Sequence, residues 1–235
     1  MTSTEPNYRH LLNRYALYAP AYDALWGRYS AATLSKALEA IPAGGELSSL
    51  VDVACGTGLL AAMLLRRRPR LRFTGVDISS QMLEKARHRI PPEPGRIEWL
   101  EGHAEELPVD NASCDVLTCT NAFHLVQDAP AALAEFRRVL KPDGVLVLVD
   151  WCRDFPLMKI RDAVMRFSDR QRRQIRGLPE LVELLESSDF RIQSGERFRA
   201  GLWGLMCVTA QNRAPRTAHG ASKSALSPAG GHAAR

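Results

Sequence analysis

The chain has 235 residues, 46% of them apolar and 24% charged, which suits one large domain with a buried core. No apolar run approaches the ~20 residues of a membrane span. The N-terminus MTSTEPNYRH lacks the basic start, apolar stretch and cleavage site of a secretory signal, so the expected compartment is the cytoplasm. The formal charge of +5 gives little general attraction to nucleic acid, because four of those charges fall in the last 25 residues, which contain no acid.

From the N-terminus, YRHLLNRYALYAPAYDALWGRYS spaces Tyr8, Tyr15, Tyr18, Tyr22, Trp26 and Tyr29 mostly three, four or seven apart. On a helix these form an aromatic stripe, so residues 1–40 are expected to be a helical lid that packs on a sheet or touches a ligand. SLVDVA, RFTGVDI, RIEWLEG, CDVLTCT and GVLVLVDW then read as short strands buried on both faces. Between them GLLAAMLLRR, SSQMLEKARHRI and APAALAEFRRVL have helical spacing and end in the basic residues that helix C-termini favour. This βαβαβ order predicts a doubly wound, mostly parallel α/β sheet that binds ligands beyond the carboxyl ends of its strands. KPDG at 141–144 marks a turn into the fifth strand, with Gly144 permitting the bend. After Trp151 come a helical stretch, the helix LPELVELLESSDF and an expected antiparallel hairpin, RIQSGERFRA with LWGLMCVTA. Residues 41–211 are thus the expected ligand-binding domain. Residues 212–235, rich in Ala, Gly, Ser and Pro, are expected to be a disordered basic tail. The five cysteines, an odd number without a C-x-x-C pair, read as reduced and mostly buried, and no metal motif is present.

Gly56-Thr57-Gly58-Leu59-Leu60-Ala61 fits G-x-G-x-x-G/A, and Asp77 follows Gly56 by 21 residues at the end of the second strand. The physics suits any nucleoside-like ligand: glycines let the backbone approach closely, and a strand-end carboxylate accepts hydrogen bonds from ribose hydroxyls. Asp52 separates the candidates. A carboxylate inside the first strand would repel a pyrophosphate and favour an ammonium group. S-adenosylmethionine carries an ammonium, a ribose, an adenine and a sulfonium, and no phosphate.

On these residues the chain resembles the class I, seven-strand S-adenosylmethionine-dependent methyltransferases, in particular the type 11 group that includes the ubiquinone/menaquinone C-methyltransferases. VDVACGTG is similar to the family's glycine-rich first motif, with Ala54 where a glycine is commoner. GVDISSQML resembles its second motif. There the resemblance implies that Asp77 holds the ribose and that Ile78 and Met82 pack on adenine. EGHAEELP resembles the loop after the third strand, with His103 in place of the usual Asp and the backbone of Ala104 as a substitute contact. TNAFHLVQD and EFRRVLKPDGVLVLVDW also follow the family pattern. In that family the N-terminal segment covers the cofactor and carries a pair like Tyr22-Asp23. Gly56 and Gly58 complete the implied cofactor set with Asp52.

Methyl transfer from a sulfonium needs no acid for its leaving group, so the protein must position the nucleophile and, for some acceptors, remove a proton. His124, just after the fourth strand, is the candidate base, or else a histidine that only packs at a helix start. Asn121 is a candidate polar contact to cofactor or substrate, and Asp150 a candidate substrate-facing acid. The expected acceptor is a small molecule: a phenol or quinol, a small heterocycle or amine, or a lipid head group approached from a membrane surface through the basic segment 166–176. A non-catalytic S-adenosylmethionine-binding regulatory protein is the alternative, hinted at by His103.

Overall fold

The computed structural model describes residues 8–9, 11–13, 21–43, 47–168 and 174–213. Tyr15, Tyr18, the centre of the basic segment (169–173) and the expected tail beyond 213 lie outside the described residues. In chain order the elements are α1 (Tyr22–Ala40), β1 (Ser49–Val53), α2 (Leu59–Arg67), β2 (Arg72–Asp77), α3 (Ser80–Arg89), β3 (Ile97–Glu101) and β4 (Cys114–Thr120). A short 3₁₀ turn (Phe123–Leu125) precedes α4 (Ala129–Val139), β5 (Leu140–Trp151), α5 (Pro156–Ser168), α6 (Leu178–Ser187), β6 (Phe190–Ala200) and β7 (Trp203–Asn212).

The seven strands pair in the order β3-β2-β1-β4-β5-β7-β6. All contacts from β3 to β5 are parallel, and β7 runs antiparallel to both β5 and β6. The sheet is therefore the expected one, down to its closing hairpin. Chain order reverses between β1 and β4, and that is the point where an open parallel sheet leaves a crevice above its carboxyl ends.

Helices cover both faces because the strands are apolar on both faces. On one side Leu34 and Ala37 of α1, Leu60 and Leu64 of α2 and Leu83 and Ala86 of α3 pack on Leu50, Phe73, Trp99 and Val147. On the other, Leu133 and Phe136 of α4 and Leu181 and Leu185 of α6 pack on Leu117, Leu146 and Leu148. Two helix starts are capped as their sequences suggest: Ser79 Oγ accepts from Met82 N, and Asp128 Oδ1 accepts from Ala131 N. All five cysteines are free and buried, as expected.

Two local expectations change. KPDG does not end before β5 but bulges within it, because Cys114 pairs with Leu140 while Val116 pairs with Val145. The positive φ, 64°, falls on Asp143. Gly144 is required by space instead, since a Cβ there would lie 2.9 Å from the Lys141 carbonyl. β7 also runs one residue past 211, because the Asn212 amide is buried and donates to the carbonyls of Arg137, Leu140 and Lys141.

The closest approach in the first layer is at Gly75, where a Cβ would come within 2.5 Å of the Trp99 ring and 2.9 Å of Cys55 Sγ. The indole is itself held, donating to the Ile90 carbonyl. Gly75→Ala is therefore expected to lower the unfolding free energy by about 1–3 kcal/mol, the cost of overpacking a closed core. Chemical denaturation checks this, and a variant as stable as the parent would mean that Trp99 yields.

Candidate active site

A cleft opens above the carboxyl ends of β1, β2 and β4. Its floor is the turn from β1 into α2, where Ala54, Gly56 and Gly58 all take positive φ, at 58°, 55° and 74°. A Cβ at Gly56 would meet nothing within 4 Å, so this glycine presents bare backbone to the cleft. Gly58 serves differently: as the residue before α2, its missing side chain leaves room for Trp99 and Ala86, which a Cβ would approach to 3.0 and 3.1 Å.

Asp77 closes one wall. Its Oδ2 accepts from Gly56 N at 2.8 Å and its Oδ1 from Ser79 N at 2.9 Å. Burial pushes its pKa up to about 6, against the lowering effect of those amides. Ile78, Met82, His103 and Ala104 continue the lining from β2 and β3, and Asn121 enters from β4. Asn121 takes a φ of 60°, a left-handed conformation that asparagine tolerates better than most residues.

Helix α1 is fastened at both ends of the cleft. Asp23 accepts from Thr57 Oγ1 at 2.7 Å and pairs with Arg89, while its neighbour Tyr22 lines the cleft. Farther along α1, the Tyr29 hydroxyl donates to Asn121 Oδ1 at 2.7 Å and accepts from Trp151 Nε1 at 2.8 Å. Burial holds the Tyr29 hydroxyl well above the usual phenol range, so it remains a donor. Tyr8 donates to Glu105 at 2.5 Å over the opposite rim.

Beside the cleft, His124 and Asp150 form a buried pair. Asp150 Oδ1 lies 2.7 Å from His124 Nδ1, and Oδ2 accepts from the His124 backbone amide at 2.6 Å. The imidazole stacks on Trp151, with centroids 4.1 Å apart and planes 15° apart, and Trp151 stacks in turn on Trp203.

A family model described as a methyltransferase domain, Methyltransf_11, matches residues 51–148, which carry the glycine turn, Asp77 and His124. Residues 51–148 thus carry a methyltransferase domain of the kind found in class I S-adenosylmethionine-dependent methyltransferases. S-adenosylmethionine is accordingly its cofactor. The demethylmenaquinone methyltransferase of Chlorobaculum tepidum is 34% identical over 165 residues, covering 66% of this chain and 62% of that protein. The ubiquinone/menaquinone biosynthesis C-methyltransferase UbiE of Campylobacter jejuni is 29% identical over 161 residues, covering 61% of this chain and 67% of its own length. Among solved structures, a chain from the complex between the Haloferax volcanii Trm112 methyltransferase activator and a methyltransferase superposes with a TM-score of 0.74 at 18% identity. It covers 88% of this chain and 99% of that one, and shows a shared fold.

Of the residues singled out from the methyltransferase sequence, Tyr22, Ala54, Gly56, Asp77, Ile78, Met82, His103, Ala104 and Asn121 line the one cleft. Asp52 does not. It is buried, and its Oδ1 accepts from Thr118 Oγ1 at 2.6 Å. The sequence places its charge near the crevice, whereas β1 is buried along its whole length and Asp52 is not among the residues that line the cleft. The sequence reading missed the Thr57–Asp23 latch and Trp203. No helix among the described residues is long and apolar enough to cross a membrane.

Burial pushes the Asp52 pKa up to about 7. The folded state therefore binds this proton more tightly than the unfolded chain, whose Asp titrates near ~3.9. The charge lowers stability fully above pH 7, and the loss disappears as pH falls toward the unfolded value. Asp52→Asn, which keeps an acceptor for Thr118, is expected to raise the apo melting temperature at pH 8 and to leave it unchanged near pH 4. Equal shifts at both pH values would remove the buried charge as the cause.

Proposed function

We propose that this methyltransferase acts on a small aromatic acceptor, at an oxygen or an activated ring carbon, with His124 as the base that takes the acceptor's proton. The observation that carries this reading is the buried His124–Asp150 pair at the edge of the cleft. Asp150 accepts from Nδ1 and so selects the tautomer in which Nε2 carries the lone pair. Nε2 has no protein partner among the described residues, which leaves it for a ligand. The backbone bond from His124 N to the same carboxylate fixes the ring's base, and the Trp151 face holds its plane.

On this reading Asp77 accepts from the ribose hydroxyls with the lone pairs that Gly56 and Ser79 leave open. Ile78 and Met82 flank the adenine, with His103 and Ala104 at its rim. Ala54 and Gly56 offer backbone at close range, and Tyr22 closes the cleft from α1. Bound S-adenosylmethionine supplies a methyl group on a sulfonium, whose departure as a neutral thioether needs no proton. The chain's part is to hold the acceptor atom roughly 3 Å from that methyl, in line, and to remove its proton. The names of the relatives, a demethylmenaquinone methyltransferase and a C-methyltransferase of ubiquinone and menaquinone biosynthesis, support an aromatic acceptor here.

Methyl transfer to a panel of phenols, quinols and aromatic amines, read as product mass, tests the acceptor class. His124→Asn is expected to keep cofactor affinity and to cut turnover by about 10²- to 10⁴-fold. Wild-type turnover in that variant would sink the base assignment. Cofactor affinity itself should fall as pH drops through about 6, where Asp77 takes a proton and loses its capacity as an ionised acceptor. Asp77→Asn should bind more weakly and lose this pH dependence, as calorimetry at pH 5 and 8 would reveal.

A further inference from the structure

Arg161 of α5 has a guanidinium that no described carboxylate neutralises. Its Cζ lies 4.6 Å from the Trp151 ring centroid and 4.4 Å from that of Trp203. Its Nε is buried and has no hydrogen-bond acceptor among the described residues. Neighbouring arginines are treated differently: Arg153 pairs with Asp162 and Glu180, and Arg197 pairs with Asp154. Burial lowers the Arg161 pKa from its usual value, and a guanidinium stays protonated in proteins, so the group is a cation. A buried donor without an acceptor costs stability, and native structures keep such groups mainly where a ligand or water completes them.

The surroundings say what kind of ligand. Arg161 shares a groove with Leu157, Ile160, Leu202 and Trp203. Leu157, Ile160 and Leu202 are 48%, 63% and 81% exposed, an unusual outlay of apolar surface at one place. The groove's only described charged side chain is that of Arg161. It adjoins the site, because Trp151, under the guanidinium, is the ring on which His124 stacks.

We propose that the groove between α5 and the β6–β7 turn binds an apolar aromatic molecule bearing one acidic oxygen group, with the anion on Arg161 and the apolar body against Leu157, Ile160 and Leu202. That this molecule is the methyl acceptor rests on the reading of His124 above; the binding site itself does not. The planar guanidinium offers paired donors to a carboxylate, phenolate or sulfonate, and the two indoles hold it in place through cation–π contact.

Two dyes with one ring system test this: 8-anilinonaphthalene-1-sulfonate, and N-phenyl-1-naphthylamine, which lacks the sulfonate. Fluorescence titration of the full chain is expected to give a saturable site that prefers the sulfonate at least tenfold. Arg161→Met should lower sulfonate affinity tenfold or more and leave the neutral dye unchanged. Leu202→Asp, at an exposed turn where folding is not at stake, should weaken both. Equal affinities of the wild type for the two dyes, or sulfonate affinity within twofold of wild type in Arg161→Met, would overturn the proposal. So would the absence of a saturable dye site together with Arg161-dependent sedimentation on phosphatidylglycerol vesicles, which would assign the face to a bilayer. His124→Asn should bind the sulfonate dye as the wild type does, so failure of the base assignment and failure of this site are read separately.

Discussion

The turn between β1 and α2 depends on a carboxylate borrowed from the next strand. Three residues within five, Ala54, Gly56 and Gly58, adopt left-handed conformations, and for an alanine this costs about 1–2 kcal/mol. The turn is held by two bonds to β2: Cys55 N donates to the Val76 carbonyl, and Gly56 N donates to Asp77 Oδ2. The other oxygen of Asp77 takes Ser79 N, and Ser79 then caps α3. One buried acid thus fixes the floor of the cleft, its β2 wall and the start of the helix behind that wall. On the proposed reading the same acid also recognises the ribose, which ties the scaffold to the recognition chemistry.

A second chain of hydrogen bonds couples α1 to the sheet. Trp151 Nε1 donates to Tyr29, Tyr29 donates to Asn121 Oδ1, and Asn121 Nδ2 donates to Thr33 Oγ1, so α1 is bonded twice to the one residue where β4 turns away. At the other end of α1, Asp23 takes Thr57 from the glycine turn. Because α1 touches both the cofactor turn and the end of β5, a displacement of this helix would be felt on both sides of the cleft. A helix tied only to one wall could not transmit it.

Much of this was legible in the sequence. Alternating strand and helix patterns implied the sheet, and residues at strand ends were bound to meet because parallel strands deliver their carboxyl ends to one edge. The face-level signal was not enough for Asp52: in a strand buried on both sides, sequence position does not say whether a side chain reaches the cleft or stays between layers. Asp150 was noticed singly, but its partnership with His124 spans 26 residues and depends on the β4–β5 register, which places Thr120 beside Val149. Trp203 looked like an ordinary strand residue. Its contact with Trp151 and Arg161 follows from hairpin geometry and from the course of α5, neither of which leaves a mark at a single position.

The division of labour along the sheet edge bears on the direction of the reaction. Asp77, Ile78, Met82, His103 and Ala104 come from the β2 and β3 ends, whereas His124, Asp150, Trp151 and Trp203 come from the ends of β4 and β5 and the start of β7. Asn121 stands between the two sets, at the end of β4. An in-line displacement requires donor sulfur, methyl and acceptor atom on one axis. On the proposed placement of the nucleoside over β2 and of His124 as the base, that axis crosses β4, above Asn121 in its left-handed conformation. On that placement the left-handed Asn121, bonded to α1 through Tyr29 and Thr33, lies where the two ligands would meet, which is where a fixed backbone contributes most to aligning them.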